Sequence, residues 1–235
     1  MFDMEKLKAL CAPFFTLTDE AAERLSIYGK MLIEWNERMN LTAILEPDEI
    51  LIKHFYDCLL FLKNTEIPEG AGVIDVGTGA GFPGVVLKIA RPDIKLTLLD
   101  SLNKRITFLS AVLEGIGLSA ETVHGRAEEL SKNAAYREQY DIACARAVAK
   151  LSVLSEYCMP YVKKGGLFVS MKGPAARDEL CEAKKAIELL GGGDATIFEE
   201  TLPDDSQRCF ISVKKISQTP TKYPRNSGKI TKQPL

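Results

Sequence analysis

Residues 73–84 read Val-Ile-Asp-Val-Gly-Thr-Gly-Ala-Gly-Phe-Pro-Gly, and the next apolar run ends in Asp100. A hydrophobic strand that breaks into glycines and then enters a helix brings its backbone close to a ligand. An acid at the end of the following strand stands where the hydroxyl pair of a ribose needs an acceptor. The pattern asks for a nucleoside, and the neighbouring residues say which kind. Gly79 to Gly84 matches the G-x-G-x-x-G of dinucleotide sites, with Asp100 near the expected spacing. Two residues speak against a diphosphate. Pro83 opens the following helix without an N–H, removing one donor from the place a pyrophosphate would use. Asp75, two residues before Gly77, is expected to point into the crevice, where its carboxylate repels phosphate and attracts an ammonium.

S-Adenosylmethionine carries that ammonium, a ribose for Asp100 and no phosphate. It is therefore the ligand this turn fits ahead of a nicotinamide or flavin nucleotide. Asp75, Gly77, Gly79 and Asp100 form the first half of the expected cofactor site.

The elements that hold these residues show in the rest of the pattern. Residues 1 to about 65 read as helices: Thr18 or Asp19 caps one in which Ala22, Leu25, Tyr28, Leu32 and Trp35 recur at helical spacing. Asn36 to Asn40 is expected to break it, and Pro47-Asp48-Glu49 opens another through His54, Phe55 and Leu62. Beyond Pro68-Glu69-Gly70 the pattern alternates. Strands are expected at 72–77, 95–100, 120–124, 140–145, 165–171, 195–200 and 208–214, and helices at 83–91, 102–116, 126–132, 148–159 and 174–190. Alternation of this kind predicts a mostly parallel sheet covered on both faces, with the ligand at the carboxyl ends of the first strands. Thr201 to Ser206 is too short for a crossover helix, so the last two strands are expected to form an antiparallel hairpin. The expected organisation is a helical extension over 1–67, an α/β cofactor-binding domain over 68–216 and a basic tail over 217–235.

Composition is that of an ordinary soluble chain of 235 residues, 46% hydrophobic and 26% charged. No apolar stretch reaches the ~18 residues a membrane span needs, and the first residues lack the pattern of a signal peptide. Six scattered cysteines without a C-x-x-C pair suggest reduced thiols in a cytoplasmic protein. With only His54 and His124, and no cysteine at ligand spacing, no metal site is expected. Net charge is −2, yet Ser206 to Leu235 holds seven basic residues and no acid, leaving the first 205 residues at −9. Such asymmetry marks either a solvated, disordered end or a tail that meets an anionic partner.

Other candidates sit at the ends of later strands. Lys104 and Arg105 open a helix against its dipole, which fits a phosphate ligand or simply a solvated face. After the third strand, backbone N–H of Ala127 or Glu128 is placed to read an adenine edge, although Glu128 also suits a first helical turn. Arg146 ends the fourth strand, where methyl transfer must occur, and offers a fixed fork of donors to a base edge, a phosphate or a cofactor carboxylate. The Asn/Asp-Pro-Pro-aromatic motif of exocyclic-amine methylation is absent there, and Cys144 lacks the context of a nucleophile. His54 reads as a core histidine and Lys172 as a weak substrate contact. No residue is assigned a catalytic proton transfer.

Several motifs now converge: Trp35-Asn36 with Met39-Asn40-Leu41-Thr42, His54-Phe55-x-Asp57, Asp75 through Gly84, Asp100-Ser101 with Lys104-Arg105, Gly125-Arg126-x-Glu128, Arg146-Ala147, Lys172-Gly173 and Tyr223-Pro224-Arg225. End to end, the chain resembles the bacterial small-subunit ribosomal RNA methyltransferase G family (RsmG, also called GidB). The resemblance implies a class I S-adenosylmethionine-dependent methyltransferase with a Rossmann-like seven-stranded sheet. It implies methyl transfer to N7 of a guanosine in 16S ribosomal RNA, with the RNA or the small ribosomal subunit as partner and a monomeric enzyme. Carried over by position, cofactor contacts fall on Gly77, Phe82, Ala127, Glu128 and Arg146. Lys104, Arg105, Lys172, Arg225, Lys229 and Lys232 are the expected RNA-binding cations. Cys58 stands where the family usually has serine, and Ser227 and Ile230 stand where it has prolines. Two rival readings stay open: a small-molecule methyltransferase, and a non-catalytic dinucleotide-binding module.

Overall fold

A computed structural model describes residues 2–146 and 148–235. Ala147, half of the Arg146-Ala147 motif, lies outside the described residues. Seven strands form one sheet: β1 (Gly72–Val76), β2 (Lys95–Asp100), β3 (Glu121–His124), β4 (Tyr140–Arg146), β5 (Val162–Lys172), β6 (Gly192–Thr201) and β7 (Gln207–Lys215). Their order is β3-β2-β1-β4-β5-β7-β6, with β7 antiparallel to both neighbours and the other pairings parallel. The expected hairpin therefore ends the sheet. The strand order reverses at β1, between β2 and β4, which opens a crevice above their carboxyl ends.

Val73, Ile74 and Val76 are buried on both sides of β1, as a central parallel strand requires. One face of the sheet is covered by α5 (Gly84–Ala90) and α6 (Asn103–Gly115) together with the N-terminal helices. The other is covered by α7 (Ala127–Leu130), α8 (Leu151–Cys158) and α9 (Ala176–Leu189).

The N-terminal helices are α1 (Met4–Cys11), α2 (Asp19–Met39), α3 (Pro47–Ile50) and α4 (Asp57–Asn64), and a π-helical turn over Leu51–Tyr56 joins the last two. Thr18 caps α2 by accepting the Ala21 N–H. That helix runs to Met39, further than the sequence suggests. Asn36 stays helical because its side chain is used beyond the helix: Oδ1 accepts the N–H of Leu41 at 2.6 Å and of Thr42 at 2.8 Å. Asn40 then turns the chain in a left-handed conformation at φ 50°. Tyr28, Leu25 and Leu32 of α2 pack with Phe82, Phe108 and Val85 in a single core cluster.

The last residues do not form the solvated, disordered end that their charge allowed. Ser227–Lys232 form α10, capped by Asn226, whose Oδ1 accepts the Lys229 N–H. Ile230 is wholly buried and Tyr223 packs into the core on the α8 side. Arg137 donates to the carbonyls of Thr219 and Tyr223 at 2.8 and 3.1 Å, fixing the approach to α10.

Candidate functional site

The glycine turn between β1 and α5 is closed upon itself. Gly77 and Thr78 donate their N–H groups to the carbonyl of Leu99, and Gly81 and Phe82 donate theirs to that of Thr78. The Gly79 N–H goes to Asp100 Oδ2 at 2.9 Å, and the Gly84 N–H to Asp75 Oδ2 at 2.8 Å. Gly77 at φ 71° and Gly79 at φ 61° hold a conformation that costs other residues dearly. A Cβ on Gly77 would also come within 3.0 Å of Val148. Six of the turn's amides are thus spent internally, and the turn has no row of donors for a diphosphate.

Asp75 corrects the sequence expectation. It does not face the crevice but is wholly buried beneath the turn, where Oδ2 also accepts the Thr78 hydroxyl at 2.7 Å. It fills the place at the head of α5 that an anion would take. Burial pushes its carboxyl up to about 6, with the Thr78 and Gly84 hydrogen bonds and Arg146 pulling the other way. The nearby phenol of Tyr28 donates to the Ala80 carbonyl, so α2 grips the turn from outside.

Above the turn lies a cleft of about 930 Å³ lined by Gly77, Gly79, Phe82, Asp100, Arg146 and Lys172 among others. A second hollow of about 240 Å³ adjoins it, walled by Leu99, Gly125, Ala127 and Glu128 on one side and by Tyr157 and Ser227 on the other. Gly77, Asp100, Ser101 and Val148 line both, so the two spaces meet at the end of β2. Asp100 accepts the Gly79 and Leu102 N–H groups, one on each oxygen, and Arg105 lies 3.1 Å from Oδ2. A carboxylate has about four acceptor positions, which leaves room for ribose hydroxyls.

Arg146 is held by the N-terminal helices. Nη1 donates to the Lys53 carbonyl and to Asp57 Oδ2, both at 3.1 Å, and Nη2 lies 3.1 Å from His54 Nδ1. Its guanidinium sits 4.7 Å from the centre of the Phe82 ring, on which His54 stacks at 4.3 Å. The fork expected to be free for a ligand is therefore largely occupied. His54 Nδ1 also lies 3.1 Å from the Lys53 carbonyl, and Nε2 lies 3.0 Å from Thr42 Oγ1, so both ring nitrogens are engaged. Burial, then the charge of Arg146, lowers the imidazole to about 3, so it stays neutral. Asp57 is raised by burial against the pull of Arg146 and Arg208. Its Oδ1 has no hydrogen-bond partner, with Arg208 Nε 3.4 Å away.

This cluster is what the sequence reading missed. Thr42 and Asp57 stood in quoted motifs without an assigned role, and His54 was read only as a core histidine, which its burial fits. Lys53, Arg208 and Tyr157 carried no local signal, and Ser227 stood out only as a departure from the family's tail. Cys144 is buried among apolar side chains and its thiol is pushed well above its ordinary range, which suits a core residue.

Comparison with known proteins places these features in a family. A family model described as rRNA small subunit methyltransferase G matches residues 21–205. The protein named ribosomal RNA small subunit methyltransferase G from Lactobacillus acidophilus is 50% identical over 225 residues, covering 94% of each chain. Its namesake from Alkaliphilus metalliredigens is 49% identical over 223 residues, covering 94% of this chain and 93% of its own. The chain belongs to the rRNA small subunit methyltransferase G family. Solved structures agree on the fold at much lower identity. A predicted O-methyltransferase from Agrobacterium tumefaciens superposes with a TM-score of 0.54 at 16% identity, over 65% of this chain and 77% of its own. Precorrin-6y C5,15-methyltransferase from Geobacter metallireducens gives 0.52 at 13%, over 75% and 91%.

Within this family member, the six expected RNA cations divide. Lys229 and Lys232 are exposed on α10. Lys104 is exposed as well, its Nζ donating to the Met39 carbonyl at 2.8 Å. The other three already have partners within the fold. Arg105 is paired with the buried Asp100. Lys172 is partly buried, with Nζ 2.8 Å from Glu179 Oε2, and also donates to the Ala149 carbonyl. Arg225 makes a two-pronged pair with Glu156, whose side chain is wholly buried. A strand-end lysine and a tail arginine look like free cations in sequence, and tertiary partners claim both. Among the described residues, no group of His, Cys, Asp and Glu could hold a metal ion, and no helix is long and apolar enough to cross a membrane.

Proposed function

We propose that this protein transfers the methyl group of S-adenosylmethionine to N7 of a guanosine in 16S ribosomal RNA. The observation that carries the cofactor half is the closed glycine turn. Its amides are consumed internally, which favours a cationic amino-acid head over a diphosphate. In this reading the methionine end lies in the large cleft beside Gly77, Gly79 and Phe82. The ribose meets Asp100, and the adenine enters the hollow beside Ala127 and Glu128. Arg146, held by Asp57, His54 and Lys53, shapes the floor where the methyl is delivered rather than binding it with a free fork.

The bound sulfonium supplies an already activated methyl group, and the N7 lone pair of guanine can take it without losing a proton. What the chain must provide is alignment, with N7 roughly 3–3.5 Å from the methyl carbon and in line with the sulfur. A neutral, doubly hydrogen-bonded His54 and a guanidinium-locked Asp57 suit that task, since neither is poised to move a proton. N7 is hidden in the deep groove of A-form RNA, so the target guanosine would sit in a loop or splayed segment. The cleft lining holds five cations (Lys53, Arg105, Arg146, Lys172 and Arg208) against three carboxylates (Asp57, Asp100 and Glu179), and that positive excess suits an anionic polymer better than a small apolar substrate. The decisive experiment is mass mapping of small-subunit RNA from cells lacking the protein, then treatment of that RNA with the purified protein and S-adenosylmethionine. The reading requires one guanosine to lose its N7 methyl and to regain it in vitro. Unchanged RNA would overturn it.

A further inference from the structure

The small hollow is not built by the sheet domain alone. Its inner wall comes from the ends of β2 and β3 and the start of α7, as the strand order dictates. Its outer wall comes from Tyr157 on α8 and Ser227 on α10, whose hydroxyls lie 3.1 Å apart. Only one of those two hydroxyl hydrogens can be used between them. The other hydrogen and the spare lone pairs remain for a ligand with both donors and acceptors, such as an adenine edge.

The segment bearing Ser227 is held firmly enough to serve as a wall. Glu156 precedes Tyr157 and is wholly buried. Its carboxylate accepts the backbone N–H of Arg225 at 2.8 Å, Nε at 2.9 Å and one Nη at 2.6 Å. The other Nη of Arg225 donates to the Gln233 carbonyl at 2.9 Å, closing α10 back on its own start. Ile230 is wholly buried, and Tyr223 belongs to the same core cluster as Leu154 of α8. Arg137 fixes the approach through the Thr219 and Tyr223 carbonyls. The residues next to the hollow on both sides, Glu156 and Arg225, are the ones the latch uses.

From this we infer that the C-terminal segment 217–235 is part of the methyl-donor site, with Ser227 and Tyr157 forming the outer wall against the adenine. The inference rests on the reading that adenosine occupies this hollow, and it adds a binding role to a segment whose charge alone suggested RNA. Lys229 and Lys232 project from the same helix, two and five residues beyond the wall. One short helix therefore meets the donor on one side and solvent on the other.

The test uses the full chain and S-adenosylmethionine as probe. Cys181 is the exposed cysteine and the other five are buried, so Cys181→Ser gives a quiet background for thiol labelling. In it, Ser227→Cys places a thiol in the wall with little change of size, and Thr231→Cys places one on the exposed side of α10. Saturating S-adenosylmethionine is expected to slow iodoacetamide alkylation at position 227 at least tenfold and to leave position 231 unchanged. Ser227→Trp, which fills the hollow from a half-buried position, is expected to raise the Kd at least tenfold by calorimetry with an unaltered circular dichroism spectrum. Equal labelling of position 227 with and without bound donor, or wild-type affinity in Ser227→Trp, would overturn the inference. Wild-type protein that fails to bind S-adenosylmethionine at all would instead sink the cofactor reading beneath it, so the two failures are told apart.

Discussion

Asp75→Asn tests whether a carboxylate held against its solvation organises the glycine turn. The side chain is wholly buried, accepts the Thr78 hydroxyl and the Gly84 N–H on Oδ2, and leaves Oδ1 without a partner. Burial raises its pKa from 3.8 to about 6. The folded protein therefore binds this proton more tightly than the unfolded chain does. Between those two values the folded state keeps the proton while the unfolded state has lost it, so stability falls as pH rises. At about 1.36 kcal/mol per tenfold change in proton affinity, the effect is about 3 kcal/mol. That stability is fully present below pH 3.8 and gone above about 6. Asparagine keeps the shape and one carbonyl acceptor but does not titrate. The stability gap between wild type and variant should accordingly narrow by about 3 kcal/mol as pH rises to neutrality. Urea unfolding of both proteins from about pH 4 to about pH 7.5 measures this gap directly. A gap that stays constant, or widens with pH, would refute the argument that burial dominates at this carboxyl.

Gly77→Val should abolish S-adenosylmethionine binding by calorimetry, because φ is 71° and its Cβ would come within 3.0 Å of Val148 at the junction of the two hollows. Gly81→Ala, at φ 103° with Val85 and Tyr28 within 2.8 Å of the added carbon, should cost about 3 kcal/mol and lower Tm by roughly 9 °C. Arg225→Met strands the buried Glu156 carboxylate. It should destabilise the protein by about 3 kcal/mol in urea and weaken donor binding with it. Lys229→Ala and Lys232→Ala should each reduce the salt dependence of RNA binding by about one counterion while leaving donor affinity intact. Unchanged salt slopes would place the RNA elsewhere.

The sheet was legible because its strands are short apolar runs bounded by glycine, proline and asparagine, and because 201–206 leaves no room for a crossover. The glycine turn and Asp100 were legible as a nucleoside site for the same local reason. What local pattern cannot carry is the direction of a side chain decided by distant packing. Asp75 turns under the loop because Gly84 comes back over it, and only a residue without a Cβ can approach so closely. Arg146 finds Asp57 89 residues away, and Arg225 finds Glu156 69 residues away. In sequence each is simply a cation. Helix α10 was hidden for a different reason: its six residues have little helical preference, and Ile230 packed against the core stabilises them.

The knot at Arg146 sets how this protein can be divided. Its guanidinium leaves the end of β4 and is held by Asp57, His54 and the Lys53 carbonyl, all contributed by the rod that precedes the first strand. A version cut back to the sheet and its flanking helices would keep the glycine turn yet lose one wall of the bowl above it. It would also strip the Arg146 guanidinium of all three of these partners. The leading helices and the sheet are therefore one unit at this point, because half of each contact belongs to either side of the join.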